Sequence, residues 1–320
     1  MKRLFSSMAF AFALGFATAV LAQGAFPDKP VKIIVGFPAS STADIVARVL
    51  AVEMTESLGQ AVVVEDRAGA GSAIAAEAVL RSPADGYTLL LSTIANTILG
   101  NVVKLSFDFE KDFAPVALLA ETPGLLAANP SAPPSVKDLI AAAKAKPGEI
   151  AYASAGTGTV THLYGELFNL AAGVKLTHVP YKGSGQAQVD LVAGRITLLF
   201  TPAATVVPHI KAGRLIALGS IGSKPMSVLP GVPRLVDAGV PGFESGLWFG
   251  LNAPAATPRA VIERLNKESV RALAAPEVVK RFAAQNIDAL GGTSESFGAL
   301  IRQESEKWAR VVKAAGIKGE

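Results

Sequence analysis

The chain has 320 residues, 50% of them hydrophobic and 18% charged, with a formal net charge of +4. That is enough apolar material for two domains, and the basic residues are too scattered to track a nucleic-acid backbone. Cysteine is absent, which excludes disulfides and thiolate metal sites, and the three histidines, His162, His178 and His209, form no close ligand pair in sequence, so no metal or cofactor is expected.

Lys2 and Arg3 precede an apolar stretch from Met8 to Val20, and Val20-Leu21-Ala22 has the small-residue pattern of a cleavage site. Residues 1–22 therefore read as an export signal, because the apolar stretch of about 13 residues is shorter than the roughly 20 that a spanning helix needs. The mature protein is expected in the periplasm, with a charge of about +2 once Lys2 and Arg3 are removed from the +4 total.

Val31 to Val35 and Ala61 to Glu65 are β-rich apolar runs, followed by helical stretches from Ile45 to Leu58 and Ile74 to Leu80. Pro83-Ala84-Asp85-Gly86 makes a turn before the next strand, Tyr87 to Leu91. This βαβ alternation predicts a parallel sheet covered by helices. The pattern restarts near Leu125 to Pro130, with a helix from Val136 to Lys144 and strands at Ile150 to Ala153, Lys175 to Val179, Ile196 to Phe200 and Leu215 to Ser220. Trp248 to Pro254 reads as the strand that returns to the first domain. Thr257, with Pro258 at the first helical position, and Thr293 are expected to cap two further helices. In the second of these Phe297, Leu300, Ile301, Trp308, Val311 and Val312 share a face that should pack on the first domain.

Two turns in this plan have the same chemistry. Phe37-Pro38-Ala39-Ser40-Ser41-Thr42-Ala43-Asp44 and Ser154-Ala155-Gly156-Thr157-Gly158-Thr159 each follow a strand and open a helix. A helix start leaves N–H groups unpaired and carries positive partial charge, so a hydroxyl-rich start without bulky side chains can hold an anion. In open α/β sheets ligands bind outside the carboxyl ends of the strands, where both turns lie.

With these turns in view, the chain resembles the receptor family of tripartite tricarboxylate transporters, the Bug-type periplasmic binding proteins, over nearly its whole length. The resemblance is carried by Phe26 to Val35 followed by Phe37-Pro38, by Val64-Glu65-Asp66-Arg67-Ala68-Gly69-Ala70-Gly71, and by Asp85-Gly86-Tyr87-Thr88-Leu89-Leu90. Ala114-Pro115-Val116, His178-Val179-Pro180-Tyr181-Lys182-Gly183, and Trp248 with Ala253-Pro254 complete it. It implies a type II periplasmic binding protein fold: two α/β lobes, a ligand cleft between them and two crossing strands as hinge. It further implies a small carboxylate gripped between the two turns, partly through ordered water, and passed to the large and small membrane subunits of a secondary transporter. Where the family has Pro-Gly-Gly after Phe-Pro, this chain has Ala39-Ser40-Ser41, which narrows that wall and adds two hydroxyls. On this plan residues 23–123 and 249–320 form lobe 1 and residues 124–248 form lobe 2, and a monomer is expected.

The ligand-binding candidates are Phe37, Ala39, Ser40, Ser41 and Thr42 in the first turn and Ser154, Gly156, Thr157, Gly158 and Thr159 in the second. Ser92 and Thr93 end the third strand, and Tyr181 follows the His178 strand, so all three are wall candidates. Asp44 completes a Ser-x-x-Asp capping box with Ser41, or else pairs with a ligand ammonium group. His162, in the first helical turn, reads as a neutral cap or packing residue that could also reach the ligand. No Gly-x-Ser-x-Gly elbow or His-Glu-x-x-His helix is present, which argues for a binding protein over an exported hydrolase. A receptor that signals to a sensor partner remains the alternative to one that feeds a permease.

Overall fold

The computed structural model describes residues 26–181 and 183–317. The predicted export signal and Lys182 lie outside the described residues.

The first sheet is assembled by β1 (Val31–Val35), α1 (Thr42–Leu58), β2 (Val62–Asp66), α2 (Ala73–Leu80), β3 (Thr88–Thr93), α3 (Ile94–Val102), α4 (Phe109–Asp112) and β4 (Phe113–Thr122). After Pro123 the chain builds a second sheet with β5 (Gly124–Ala128), α5 (Val136–Ala145), β6 (Ala151–Ser154), α6 (Val160–Ala172) and β7 (Thr177–Pro180). Then follow α7 (Ser184–Val192), β8 (Leu198–Pro202), α8 (Ala203–Lys211) and β9 (Ile216–Ile221). It returns through β10 (Leu247–Pro254) and finishes with α9 (Arg259–Leu273), α10 (Pro276–Ala284), β11 (Asp288–Ala289) and α11 (Ser294–Ala315).

The sheet orders are β11-β4-β10-β3-β1-β2 and β7-β6-β8-β5-β9. In the first, β1 runs parallel to β2 and β3, whereas β10 lies antiparallel between β3 and β4. In the second, β6 runs parallel to β7 and β8, whereas β5 lies antiparallel between β8 and β9. Each lobe therefore repeats one plan, in which the strand arriving from the other lobe is inserted antiparallel before the last strand. The β1–α1 and β6–α6 connections are equivalent positions in that plan.

Side chains alternate across the first sheet because successive residues of a strand point to opposite faces. Val31, Ile33 and Val35 join one core with Val46, Leu50 and Met54 of α1, whereas Ile34 joins another with Val79 of α2 and Trp308 of α11. That second core continues into lobe 2 through Leu126, Tyr152, Tyr164 and Phe200. The expected packing of the terminal helix on the first domain is thus incomplete. Phe297 does meet Trp248 edge-on at 5.5 Å, but Trp308, one end of the same face, packs on Tyr164 of lobe 2 at 5.8 Å.

Other expectations need adjustment. The sequence reading places no strand over residues 113–128, where the structure has β4 and β5; their burial on both faces leaves no alternation to read. The cap of α9 is Pro258, not Thr257, because Pro258 is extended and its carbonyl accepts the Val261 and Ile262 amides. Thr293 caps α11 as expected, accepting the Ser296 N–H at 3.1 Å.

Where the chain crosses between lobes, the buried carboxylate of Glu121 accepts the Ser223 N–H at 2.9 Å, the Ser223 hydroxyl, and the Gly246 N–H at 3.0 Å. One side chain thereby ties the end of β4 to the segments leaving β9 and entering β10. Burial and the nearby Glu121 push up the Asp288 carboxyl, which stands opposite in register.

Candidate functional site

The first turn is shaped by the residues behind it. A Cβ on Gly36 would lie 2.1 Å from the Ser72 Oγ, so only glycine lets β1 end against the β2–α2 turn. The Ser41 N–H donates to the Pro38 carbonyl at 3.1 Å, and the Ser41 Oγ accepts the Asp44 N–H at 3.3 Å as the cap of α1. Ser40 takes a left-handed conformation with φ 65°, a position that suits glycine. Its N–H donates to the Asp44 Oδ2 at 2.8 Å. The capping-box reading of Asp44 is thus right in kind, but its carboxylate returns to the residue before the cap.

Arg48 is a functional neighbour the sequence reading missed. Its Nε lies 2.6 Å from the Asp44 Oδ1 and a terminal nitrogen 2.9 Å from the Asp66 Oδ2. The signal was present as an i,i+4 acid–base pair on the first turns of α1. Burial raises the Asp66 carboxyl above its ordinary value, the charge of Asp44 adds to this, and Arg48 opposes it. Ala39 and Ser40 are exposed, Ser41 and Thr42 half-buried, and Phe37 is half-buried against the α1 core. Among the described residues, neither the amides of Thr42 and Ala43 nor the Ser40 and Thr42 hydroxyls have a partner.

The second turn is built the same way. The Thr159 Oγ1 accepts the His162 N–H at 3.4 Å as the cap of α6 and donates to the Gly156 carbonyl at 2.7 Å. Gly156 has φ 136° and Gly158 φ 76°. A Cβ on Gly158 would lie 3.2 Å from the Val102 Cγ1, so this turn of lobe 2 abuts α3 of lobe 1. The Gly158 N–H donates to the His162 Nδ1 at 3.1 Å. Thr157 is exposed at the apex, and among the described residues the amides of Val160 and Thr161 have no acceptor.

Beneath this turn lies an arrangement that sequence spacing did not reveal. The rings of His162 and His178 stack at 3.8 Å and 16°, and Tyr152 stacks on His178 at 5.1 Å. The His178 Nε2 lies 2.7 Å from the Ser154 Oγ, which accepts the Gly156 N–H at 3.1 Å. Burial pushes both imidazoles down to about 4, with mutual repulsion adding to the effect on His178.

Three remaining candidates have side chains committed elsewhere. Ser92 is fully buried and donates to the Asn252 Oδ1 at 2.5 Å, inside the sheet. Thr93 is a buried cap of α3, its N–H bonded to the Asn96 Oδ1 at 2.9 Å. The Tyr181 hydroxyl donates to the Asp190 Oδ2 at 2.9 Å.

Both turns thus present free amides at the carboxyl ends of equivalent strands. Residues 46–317 match the family model described as "Tripartite tricarboxylate transporter family receptor". The chain belongs to this receptor family. It is 37% identical over 322 residues to the protein BugT of Bordetella pertussis, with 99% of each chain covered. Among solved structures it is similar to an R. palustris protein with adipate (33% identity, TM-score 0.73, 91% of this chain and 98% of that one). It is also similar to MatC from Rhodopseudomonas palustris with bound malate (32% identity, TM-score 0.69, 90% of this chain and 100% of that one). The expected type II fold with two α/β lobes agrees with these neighbours.

Proposed function

We propose that this receptor works in the periplasm, captures an organic carboxylate lacking an ammonium group between its 37–44 and 154–162 turns, and delivers it to the large and small membrane subunits of a tripartite tricarboxylate-type transporter. The observation that carries the reading is the equivalence of the two helix starts, each with free amides and hydroxyls at the end of the corresponding strand of its sheet, β1 and β6. The adipate and malate on the similar structures support the ligand class.

Magnitudes decide the form of the grip. A helix end contributes about 0.3 to 1 kcal/mol to an exposed anion and up to about 2 when partly buried. Micromolar binding needs about 8 kcal/mol net of association costs. Direct or water-bridged hydrogen bonds at about 1.5 to 3 kcal/mol each must supply the rest. Neither turn contains Lys or Arg, and Arg48 is paired with Asp44 and Asp66, so amides and hydroxyls carry the contacts.

Asp44 argues against an amino acid. One carboxylate oxygen accepts the Ser40 N–H and the other faces Arg48, leaving none free for an ammonium group. The Ser154–His178 pair argues for binding over hydrolysis, because Ser154 is fully buried and an imidazole held near 4 is a poor base at neutral pH.

Calorimetry with adipate, malate, citrate, benzoate and glutamate tests the proposal. We expect heat with one or more of the four simple carboxylates, and a stabilisation of about 2.7 kcal/mol at a hundredfold excess over Kd. Binding of glutamate alone, or of none, contradicts it.

A further inference from the structure

We propose that His162 is a positioning residue that holds the second turn in the same shape as the first while keeping it uncharged, and so makes that turn selective for anions. The inference rests on the reading that this turn contacts a carboxylate.

The comparison of the two helix starts carries the argument. Asp44 and His162 both stand three residues after the cap, and both receive the N–H of the residue just before it, from Ser40 at 2.8 Å and from Gly158 at 3.1 Å. The first turn uses a carboxylate for this and compensates its charge with Arg48, whose Nε lies 2.6 Å from the Asp44 Oδ1. Among the described residues, the second turn has no such compensation. The charged group near the His162 ring is itself acidic: the Glu166 Oε1 lies 3.9 Å from the Nε2 and accepts the Tyr152 hydroxyl at 2.6 Å. A carboxylate at position 162 would therefore stand beside Glu166, with no cation among the described residues to offset it, and would repel an anionic ligand.

The imidazole meets the same geometric need without charge. A backbone N–H can donate to Nδ1 only if that nitrogen carries a lone pair, which requires the neutral ring protonated at Nε2. The stack enforces this state. His178 covers one face of His162 at 3.8 Å and Tyr152 lies beyond it, so a proton on either imidazole would be desolvated and would oppose a proton on the other. His178 also reaches the Ser154 Oγ, so the pair braces both ends of the turn, at Ser154 and at Gly158.

The test compares His162→Asn with His162→Asp. Both place an oxygen where Nδ1 now stands, much as Asn96 accepts the Thr93 N–H at the start of α3. A purely structural role predicts equal affinity for the two variants. Our assignment predicts that His162→Asp, with a native circular dichroism spectrum, binds adipate or malate at least about tenfold more weakly than His162→Asn. Equal affinities overturn it. Nitrogen NMR of the ligand-free protein at neutral pH gives a readout that needs no carboxylate: His162 should carry its proton on Nε2 with Nδ1 bare. A protonated Nδ1 overturns the assignment on its own. If wild-type protein binds no carboxylate, the functional reading fails and this second measurement still decides the placement of the proton.

Discussion

Trp308 packs on Tyr164 with ring centroids 5.8 Å apart, so the terminal helix, which also packs on the first sheet through Phe297 and Trp248, rests on the helix that carries the second turn. The Trp308 indole N–H donates at 2.8 Å to the buried Glu304, which also accepts the Ser245 hydroxyl at 2.7 Å and the Lys307 ammonium at 2.6 Å. An apolar core that runs unbroken between the lobes makes their connection a packed joint.

Trp308→Ala should therefore destabilise the whole protein by about 3 to 5 kcal/mol, the range for truncating a buried aromatic. Urea denaturation followed by both lobe-1 and lobe-2 probes checks this. A single shifted transition is expected, whereas loss of lobe 1 alone would deny the shared core.

Ser40 holds a left-handed conformation that costs a residue with a Cβ roughly 1 to 2 kcal/mol, part of which glycine gives back as unfolded-state entropy. Ser40→Gly should stabilise the protein by about 0.5 to 1 kcal/mol. A loss of stability on denaturant unfolding would mean that the Ser40 side chain makes a contact worth more than the strain.

Acid sensitivity follows from the stacked histidines. Both are held at about 4 in the folded protein against an ordinary value near 6.5, so the unfolded chain takes up protons that the folded one refuses. Stability is complete above about pH 6.5 and falls as pH drops toward 4, by about 1.4 kcal/mol per pH unit for each histidine. The raised carboxyls of Asp66 and Asp288 act with the opposite sign. Urea midpoints at pH 7, 5.5 and 4.5 should decline in wild type and decline less in His178→Asn. Parallel curves would contradict the assignment.

Thr157 is exposed at the apex of the second turn, and its side chain has no bond among the described residues. Thr157→Trp should leave the circular dichroism spectrum and Tm near wild type yet abolish carboxylate binding in calorimetry. Wild-type affinity would remove this turn from the site.

Much of this was legible in the sequence where local chemistry decides structure. The run Val31 to Val35 is a strand with those bounds, and the caps at Ser41 and Thr293 follow from small hydroxyl residues before helical periodicity. What stayed hidden depends on contacts between distant segments. Glu121 reads as an ordinary acid at the end of a strand until Ser223 and Gly246 close over it. His178 stands in a short strand 16 residues beyond His162, and only the parallel pairing of β6 with β7 lays the two rings together. Ser92 and Thr93 looked available because they end a strand, but pleat and capping turn both side chains inward.

The central claim is that one bound anion bridges two equivalent helix starts. Amide chemical-shift perturbation during titration with adipate, and with malate in parallel, tests it most directly. Bridging predicts saturating shifts that move together at Thr42 and Ala43 in the first start and at Val160 and Thr161 in the second. Shifts confined to one start, or centred elsewhere in the molecule, would contradict it.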